Sequence, residues 1–376
     1  MMKILVITDI ISPYRVPVFN ALAEEKEISL LVLALCKNMK ERNWLFSEAK
    51  IKFDYRIPKN IQIAFLIRPA LVINLNVTKI VEHFSPDLII CGGYYQPAYI
   101  QALIYSKKYK KKILLWVESH QESIARINPL INGYRRWFLN KCSGFIVPGK
   151  KSKTFLINLG IKEKDIYIAP NAVDNDFFIA QTQDIKQKKE DIKQRKGYPK
   201  NLILYVGRIT REKGVYDLIA AYKDIACKDT GLLFVGSGKA EHPLKKRAVR
   251  ESIPNVFFEG FKQIEDLPLY YGISDLFVFP SYTETWGLVI NEACASGLPI
   301  ISSANTGVAC ELVSRENGAL YQRGDVEGLS NCIKRILLND GVRKTMGEKS
   351  KELILQYSPN ICAERILQAA KEVLST

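Results

Sequence analysis

Residues 276–302 read LFVFPSYTETWGLVINEACASGLPIIS. The stretch opens on the short apolar run Leu276–Phe279, crosses a polar loop from Ser281 to Thr285, and enters a nearly all-apolar helical stretch over 286–296. Gly297, Leu298 and Pro299 stop that helix, and a second apolar run follows over 299–302. Strand, helix and strand in this order make a parallel βαβ unit. Its strands read as unbroken apolar runs rather than as alternating ones, the pattern of a sheet covered on both faces.

The same grammar extends in both directions. Further strands are expected at 202–206, 232–235 and 256–258, alternating with helices at 215–226 and 326–338. The first half repeats it, with strands at 3–8, 29–35, 87–91, 112–117 and 144–147. Apolar or amphipathic stretches at 16–25, 79–84, 97–106, 134–140 and 152–159 separate them. Residues 181–200 hold only Ile185, Ile192 and Tyr198 as sizeable apolar side chains and read as a linker or an exposed helical excursion. The segment 359–376 is a helix with one buried face. With 376 residues, two domains of about 150–190 each are comfortable. The architecture predicted is therefore α/β, two doubly wound Rossmann-like domains facing across a cleft. The first spans 1–175 and the second 176–357, and ligands are expected at the carboxyl ends of the strands.

Composition narrows the field. Hydrophobic residues make up 47% and charged residues 25%, so a disordered, collagen-like or coiled-coil chain is excluded. The longest apolar stretches, 28–36 and 63–73 (the latter broken by Arg68), fall short of the roughly 20 residues that span a bilayer. The N-terminal ten residues lack the apolar length and cleavage site of a signal peptide, so the chain is expected to stay in the cytoplasm. Eight scattered cysteines without a CxxC pair read as buried thiols, and three histidines are too few for a His-rich metal centre. The net charge is +15, of which residues 1–180 carry +11. Clusters such as 107–112, Arg135-Arg136 and 150–153 suit an anionic membrane surface or a polyanionic substrate. A nucleic-acid binder would need aromatic-interleaved basic repeats or a known module, and neither is evident.

The chemistry concentrates at strand ends of the second half. After the strand at 202–206 come Gly207 and Arg208, then Lys213 and Gly214 opening a helix, which sets two cations beside free amides and suits a diphosphate. Gly236, Ser237 and Gly238 end the next strand, where absent side chains permit close approach to the backbone. Glu284 lies in the loop before the helix, and Glu292 sits inside it among Leu288, Val289, Ile290, Ala293 and Cys294. A carboxylate in such apolar company requires a strong partner. Between the two glutamates lie the first-turn amides near Trp286, Gly287 and Leu288. A ligand across that helix start presents phosphate to the amides and hydroxyls to each carboxylate, the order of groups in a nucleoside diphosphate sugar. The first strand has no glycine fingerprint, which argues against an NAD or FAD enzyme.

The run from Glu284 to Glu292 resembles the EX7E signature of the retaining nucleotide-sugar glycosyltransferases of family 4, which have the GT-B fold. Gly207-Arg208 with Lys213-Gly214, Val235 to Gly238, Glu259-Gly260-Phe261, Pro170 to Asp174, and Gly297-Leu298-Pro299 resemble that family's other blocks in order and spacing. Thr285-Trp286 stands where the family more often has Gly-Phe. The resemblance implies that Arg208 and Lys213 grip the donor diphosphate, that Glu292 accepts from the ribose, and that Glu284 meets the donor sugar. It places the base near Gly236–Gly238 and Gly260-Phe261, and packs the helix 358–376 back on the first domain.

In the first domain the candidates at strand ends are His120, facing donor sugar or acceptor, and the acceptor-side set Tyr14, Arg15, Gly93 and Tyr94. Asp174-Asn175-Asp176 imitates a metal-binding DxD but reads as a helix cap, and the resemblance implies no metal or other cofactor. The reaction expected is transfer from a nucleoside diphosphate sugar, UDP-sugars favoured, to a hydroxyl of a lipid-linked or polysaccharide acceptor. The resemblance implies retention at the anomeric carbon, and same-face attack assisted by the departing phosphate is the route expected, since no carboxylate nucleophile facing an acid/base is evident. The setting implied is surface polysaccharide biosynthesis, in the cytoplasm and peripherally on the inner face of the cell membrane. A nucleotide-sugar epimerase or a phosphorylase on the same scaffold is the alternative, separated by release of free nucleoside diphosphate.

Overall fold

The computed structural model describes residues 1–39, 48–63, 70–123 and 129–376. It divides into two compact units, Met1–Asn171 with Pro359–Thr376, and Ala172–Ser358.

In the first unit the strands are β1 (Met2–Thr8), β2 (Ile28–Ala34), β3 (Asp54–Arg56), β4 (Asn60–Ile63), β5 (Leu71–Asn74), β6 (Leu88–Cys91), β7 (Lys112–Trp116), β8 (Gly144–Val147) and β9 (Ile166–Ile168). Seven of them form one parallel sheet in the order β3-β2-β1-β6-β7-β8-β9. The run Ile4–Ile7 is buried because β1 lies mid-sheet with both faces covered. The order reverses between β1 and β6, which makes their carboxyl ends the topological switch point of this unit. The helix Pro359–Ser375 buries Ile366, Ala370 and Val373 and packs on the helix Val16–Ala23 and on β7, β8 and β9. At Gly144 an added Cβ would lie 3.0 Å from the Val373 side chain, so the helix sits directly on the strand there.

The second unit holds β10 (Asn201–Val206), β11 (Thr230–Val235), β12 (Val256–Phe258), β13 (Leu276–Phe279), β14 (Ile300–Ser303) and β15 (Gly318–Tyr321). They form a second parallel sheet in the order β12-β11-β10-β13-β14-β15, with its switch point between β10 and β13. Each sheet has its own core. Phe145, Tyr99 and Leu115 belong to the first, and Tyr205, Phe234 and Ile301 to the second.

Three features depart from the sequence reading, and one expected stretch lies mostly outside the described residues. The strands β3, β9 and β15, of three or four residues each, are absent from the sequence reading. An antiparallel pair, β4 with β5, stands apart from the parallel sheet. Most of the apolar stretch 63–73 lies outside the described residues, at 64–69. The helix expected from Trp286 begins instead at Leu288, because Gly287 (φ 108°) breaks the helical backbone and the Trp286 carbonyl accepts from the Val308 amide at 3.1 Å.

For 181–200 the structure takes the helical of the two expected readings, with Lys193 buried rather than exposed. The segment is helical, as Asn175–Gln187 and Lys189–Lys196, and belongs to the second unit. Besides apolar contacts, with Ile185 against Gly272 and Tyr198 on Phe257 at 4.9 Å, it docks through lysines. Lys189 Nζ and Lys193 Nζ each lie 2.7 Å from a different oxygen of Asp275, and Asp275 also accepts from the Leu202 amide at 2.8 Å. Lys193 is 2% exposed. Its aliphatic stem supplies the packing that a hydrophobicity count assigns to Leu or Ile.

Nearby, Lys186 donates to the Ser296 carbonyl at 2.5 Å. Burial, then the charges of Lys351 and Lys189, depress its ammonium to about 8. A folded value below the unfolded one means that the unfolded chain binds more protons between pH 8 and 10.5, so this group makes stability rise with pH across that window. Replacing it, as Lys186→Met, should flatten the slope of stability against pH between 8 and 10.5. An unchanged slope in urea titrations at three pH values would show that Lys186 is not buried as described.

Candidate active site

At the switch point of the second unit, two loops meet on bare backbone. Gly214 adopts φ 68°, and an added Cβ would lie 1.9 Å from the Pro280 carbonyl oxygen, so only glycine lets the loop after β10 pass the loop after β13. Gly236 (φ 139°) and Gly238 do the same between neighbours. Their Cβ atoms would lie 1.9 Å from the Gly207 oxygen and 2.3 Å from the Ile209 oxygen. The Gly236 amide donates to the Gly260 carbonyl at 2.8 Å, and the Ile209 amide to Ser237 at 2.9 Å. What approaches these glycines is the adjoining loop, and the result is a stiff row of strand-end loops.

Lys213 ends a short turn over Arg211–Lys213 and is 7% exposed. Its Nζ lies 2.5 Å from Glu284 Oε2, across the switch point. The structure thus joins the two residues singled out as a phosphate grip and a sugar contact. Arg208 is exposed in the same loop, and its carbonyl accepts from the Tyr205 hydroxyl at 2.7 Å. Both cations act on Glu212: burial would raise its carboxyl, yet its local hydrogen bonds and then the Arg208 and Lys213 charges hold it below the ordinary value.

Glu284 is fixed from behind. Its carbonyl accepts from the Gly307 amide at 3.1 Å, and Gly307 sits where a Cβ would lie 1.8 Å from the Thr285 oxygen. The loop Ala304–Gly307 is therefore part of the site's framework, which sequence reasoning missed; the Asn-Thr-Gly turn after an apolar run was the available signal. The helix Leu288–Ala295 starts beside it, and Gly287 and the first-turn amides stand at its positive end. Glu292 is fully buried and accepts from the Tyr271 hydroxyl at 2.6 Å, the strong partner its surroundings demand. The Trp286 side chain is 2% exposed, donates to Asn291 Oδ1 at 3.0 Å and faces Tyr357, so it is core, and only its backbone borders the helix start. Phe261 is exposed beside Gly260.

The carboxyl edge of the first sheet is polar in a different way. The Arg15 guanidinium lies 3.6 Å from the Trp116 ring centroid and pairs with Glu118, to which Asn171 Nδ2 also donates at 3.4 Å. His120 is 1% exposed, its Nδ1 is 3.3 Å from Glu122, and its backbone is bracketed by the Ser123 hydroxyl. Tyr14 is half-buried in the turn before the helix Val16–Ala23. The Tyr94 carbonyl accepts from the Tyr134 hydroxyl at 2.6 Å, and Gly93 lies under the Tyr95 and Tyr99 rings, 3.1 Å from the latter for an added Cβ. Asp174 caps the helix Asn175–Gln187, accepting from the Phe177 amide at 3.0 Å.

Two doubly wound Rossmann-like domains, each with its polar residues gathered at the switch point of a parallel sheet, define an α/β class built to hold ligands at strand ends. Two family models match the chain: Glycosyltransferase Family 4 over residues 45–177, and Glycosyl transferases group 1 over residues 186–353. A capsular polysaccharide biosynthesis glycosyltransferase, CapM of Staphylococcus aureus, is 29% identical over 155 residues, 41% of either chain. A 2-deoxystreptamine glucosyltransferase of Streptomyces kanamyceticus is 28% identical over 232 residues, 59% of either chain. The chain thus spans roughly half the length of the curated relatives it matches. Anabaena HepE, solved in complex with UDP, superposes with a TM-score of 0.79 at 19% identity, covering 99% of this chain and 100% of that one. The lipopolysaccharide outer core galactosyltransferase WaaB superposes at 0.72, with 19% identity and 99% of both chains covered. The chain belongs to the family 4 glycosyltransferases, and its two domains have the GT-B fold.

Proposed function

We propose that this protein transfers a sugar from a nucleoside diphosphate donor, UDP-sugars favoured, to a hydroxyl of a lipid-linked or polysaccharide acceptor, with retention and without a metal, in surface polysaccharide biosynthesis. The observation that carries the reading is the Lys213–Glu284 pair, 2.5 Å across the switch point and beside the amino end of the helix Leu288–Ala295. Cleaving the donor bond builds negative charge on the leaving diphosphate and positive charge on the sugar ring. Arg208, Lys213 and the helix amides supply fixed positive potential to the first, and the Glu284 carboxylate supplies negative potential near the second. Anabaena HepE was solved with UDP and with UDP-glucose, and CapM carries capsular polysaccharide biosynthesis in its description, both in keeping with this reading.

A thermal-shift screen with UDP-, GDP- and ADP-sugars tests the donor. A ligand at 100 times its Kd adds about 2.7 kcal/mol of stability, and Arg208→Ala should remove most of the UDP-dependent shift while leaving the unliganded Tm in place. A flat response to all three donors would count against the assignment. Turnover unchanged by EDTA is expected, and a rate restored only by added Mg²⁺ or Mn²⁺ would overturn the metal-free part. Release of free UDP that requires an acceptor separates transfer from epimerisation.

Contact with an anionic bilayer belongs to the same proposal. Among the described residues no helix is long and apolar enough to cross a membrane. Lys107, Lys108 and Lys110 are exposed where the helix Pro97–Tyr109 ends, a place its dipole favours for cations. That end lies at the amino edge of the sheet, next to the start of β7 and opposite the edge carrying His120. Neutralising these three lysines should weaken flotation with phosphatidylserine vesicles, and equal flotation would exclude this cluster as the contact.

A further inference from the structure

The switch point of the first unit carries a cluster centred on Asp9, which has no role so far, beside the acceptor-side candidates Gly93 and Tyr94. Asp9 follows β1 directly, and Gly92 to Tyr95 follow β6, its neighbour across the reversal of strand order. The Tyr99 hydroxyl donates to Asp9 Oδ1 at 2.7 Å, and the Tyr95 hydroxyl donates to Asp9 Oδ2. Tyr99 is fully buried, whereas Tyr95 is 42% exposed. One oxygen is thus anchored from the core, and the other meets a phenol that reaches the surface. Aromatic faces continue outward from this pair: Tyr95 packs edge-on to Tyr94 at 6.4 Å, Tyr94 meets Tyr134 at 6.4 Å, and Tyr134 stacks on Trp137 at 5.8 Å. Trp137 is 46% exposed.

We propose that Asp9 and Tyr95, steadied by Tyr99, form the acceptor subsite, and that the acceptor is recognised here as a neutral saccharide whose neighbouring hydroxyls bond to the Asp9 carboxylate. The inference rests on the sugar-transfer reading and deepens it. A carboxylate keeps lone pairs to accept from two hydroxyls of one ring, and the Tyr95 oxygen, its proton given to Asp9, can accept from a third. Aromatic rings offer the apolar faces of a sugar a flat surface, the usual mixture of apolar lining and a few directed polar groups. The same carboxylate repels phosphate, so this site and the cationic one in the second unit are chemically opposite. Burial lifts the Asp9 carboxyl above its ordinary value against its two tyrosine bonds, in keeping with a group enclosed by a binding edge rather than one solvated at the surface.

Ligand-observed saturation-transfer NMR on the full chain, with UDP present, tests this. The probes are the methyl α-glycosides of glucose, galactose and N-acetylglucosamine. At least one should give a signal with the wild-type protein, weakened at least fivefold by Tyr95→Phe and abolished by Asp9→Asn. Inorganic phosphate should leave the signal unchanged. Tyr95→Phe removes only one partly exposed hydroxyl and decides the matter even where Asp9→Asn folds poorly. No signal from any probe, equal signals in Tyr95→Phe, or displacement by phosphate would each overturn the proposal. Should UDP fail to stabilise the wild-type protein while the glycoside signal behaves as expected, the donor reading falls and this subsite stands.

Discussion

Lys213→Ala is expected to lower turnover with a cognate nucleoside diphosphate sugar by 10²-fold or more. Lys213 is the one cation of the proposed grip that is both buried and held in place, 7% exposed and 2.5 Å from Glu284. Its charge therefore acts with little solvent screening on the phosphates whose charge grows as the bond breaks, and such preorganised contacts are typically worth 10²–10³-fold. The same substitution removes the ammonium from Glu284, freeing that carboxylate to move by a rotamer. Lys213→Arg keeps the charge and should recover part of the rate; Lys213→Met keeps the stem alone and should not. Single-turnover measurements at saturating donor separate the effect from donor affinity. A Lys213→Ala rate within tenfold of wild type would remove Lys213 from the chemistry.

A second large effect is expected on stability rather than on rate. Asp275→Ala should cost about 3–5 kcal/mol, the range for deleting one member of a buried ion pair. Asp275 anchors Lys189, Lys193 and the Leu202 amide together. Its loss leaves Lys193 buried without its carboxylate and unties the helix Lys189–Lys196 from the start of β10. Burial alone would raise the Asp275 carboxyl, but the two lysines hold it below the ordinary range, so the contribution is present above the unfolded value near 3.9 and fades as pH falls through the lower folded value. Urea unfolding of the variant at pH 7 is the measurement, and a loss under 1 kcal/mol would mean that the cluster is solvated. Asp275→Asn keeps the Leu202 bond and should cost less.

The two predictions concern residues that were not equally legible. Lys213 was marked by its place between a strand-end Gly-Arg and a helix-opening glycine, a local pattern readable without tertiary information. Asp275 and Lys193 are 82 positions apart and lie in stretches that look like a solvated linker and a turn. Charge counts there pointed to solvent, because nothing local distinguishes a lysine whose stem is buried from one that is not.

Asp9 shows the same limit from the other side. It lies in a strand-end loop that was read only for its lack of a glycine fingerprint. Its role depends on Tyr95 and Tyr99, which reach it only because β6 lies next to β1. Trp286 divides in two: its side chain is spent on Asn291 inside the fold, while its backbone borders the helix start to which the EX7E run pointed.

What the sequence determined by itself was the order of strands and helices, the parallel character of both sheets and the location of the polar loops at strand ends. These follow from periodicity and turn chemistry, which act over a few residues and need no partner. Tertiary structure alone decided which loops touch. The crossing of sheet order at β1–β6 and at β10–β13, the glycines pressed against neighbouring carbonyls, and the pairing of Lys213 with Glu284 are contacts between segments tens of residues apart. Their energy arises only once both sheets have closed, and no window of sequence contains both halves of such a contact.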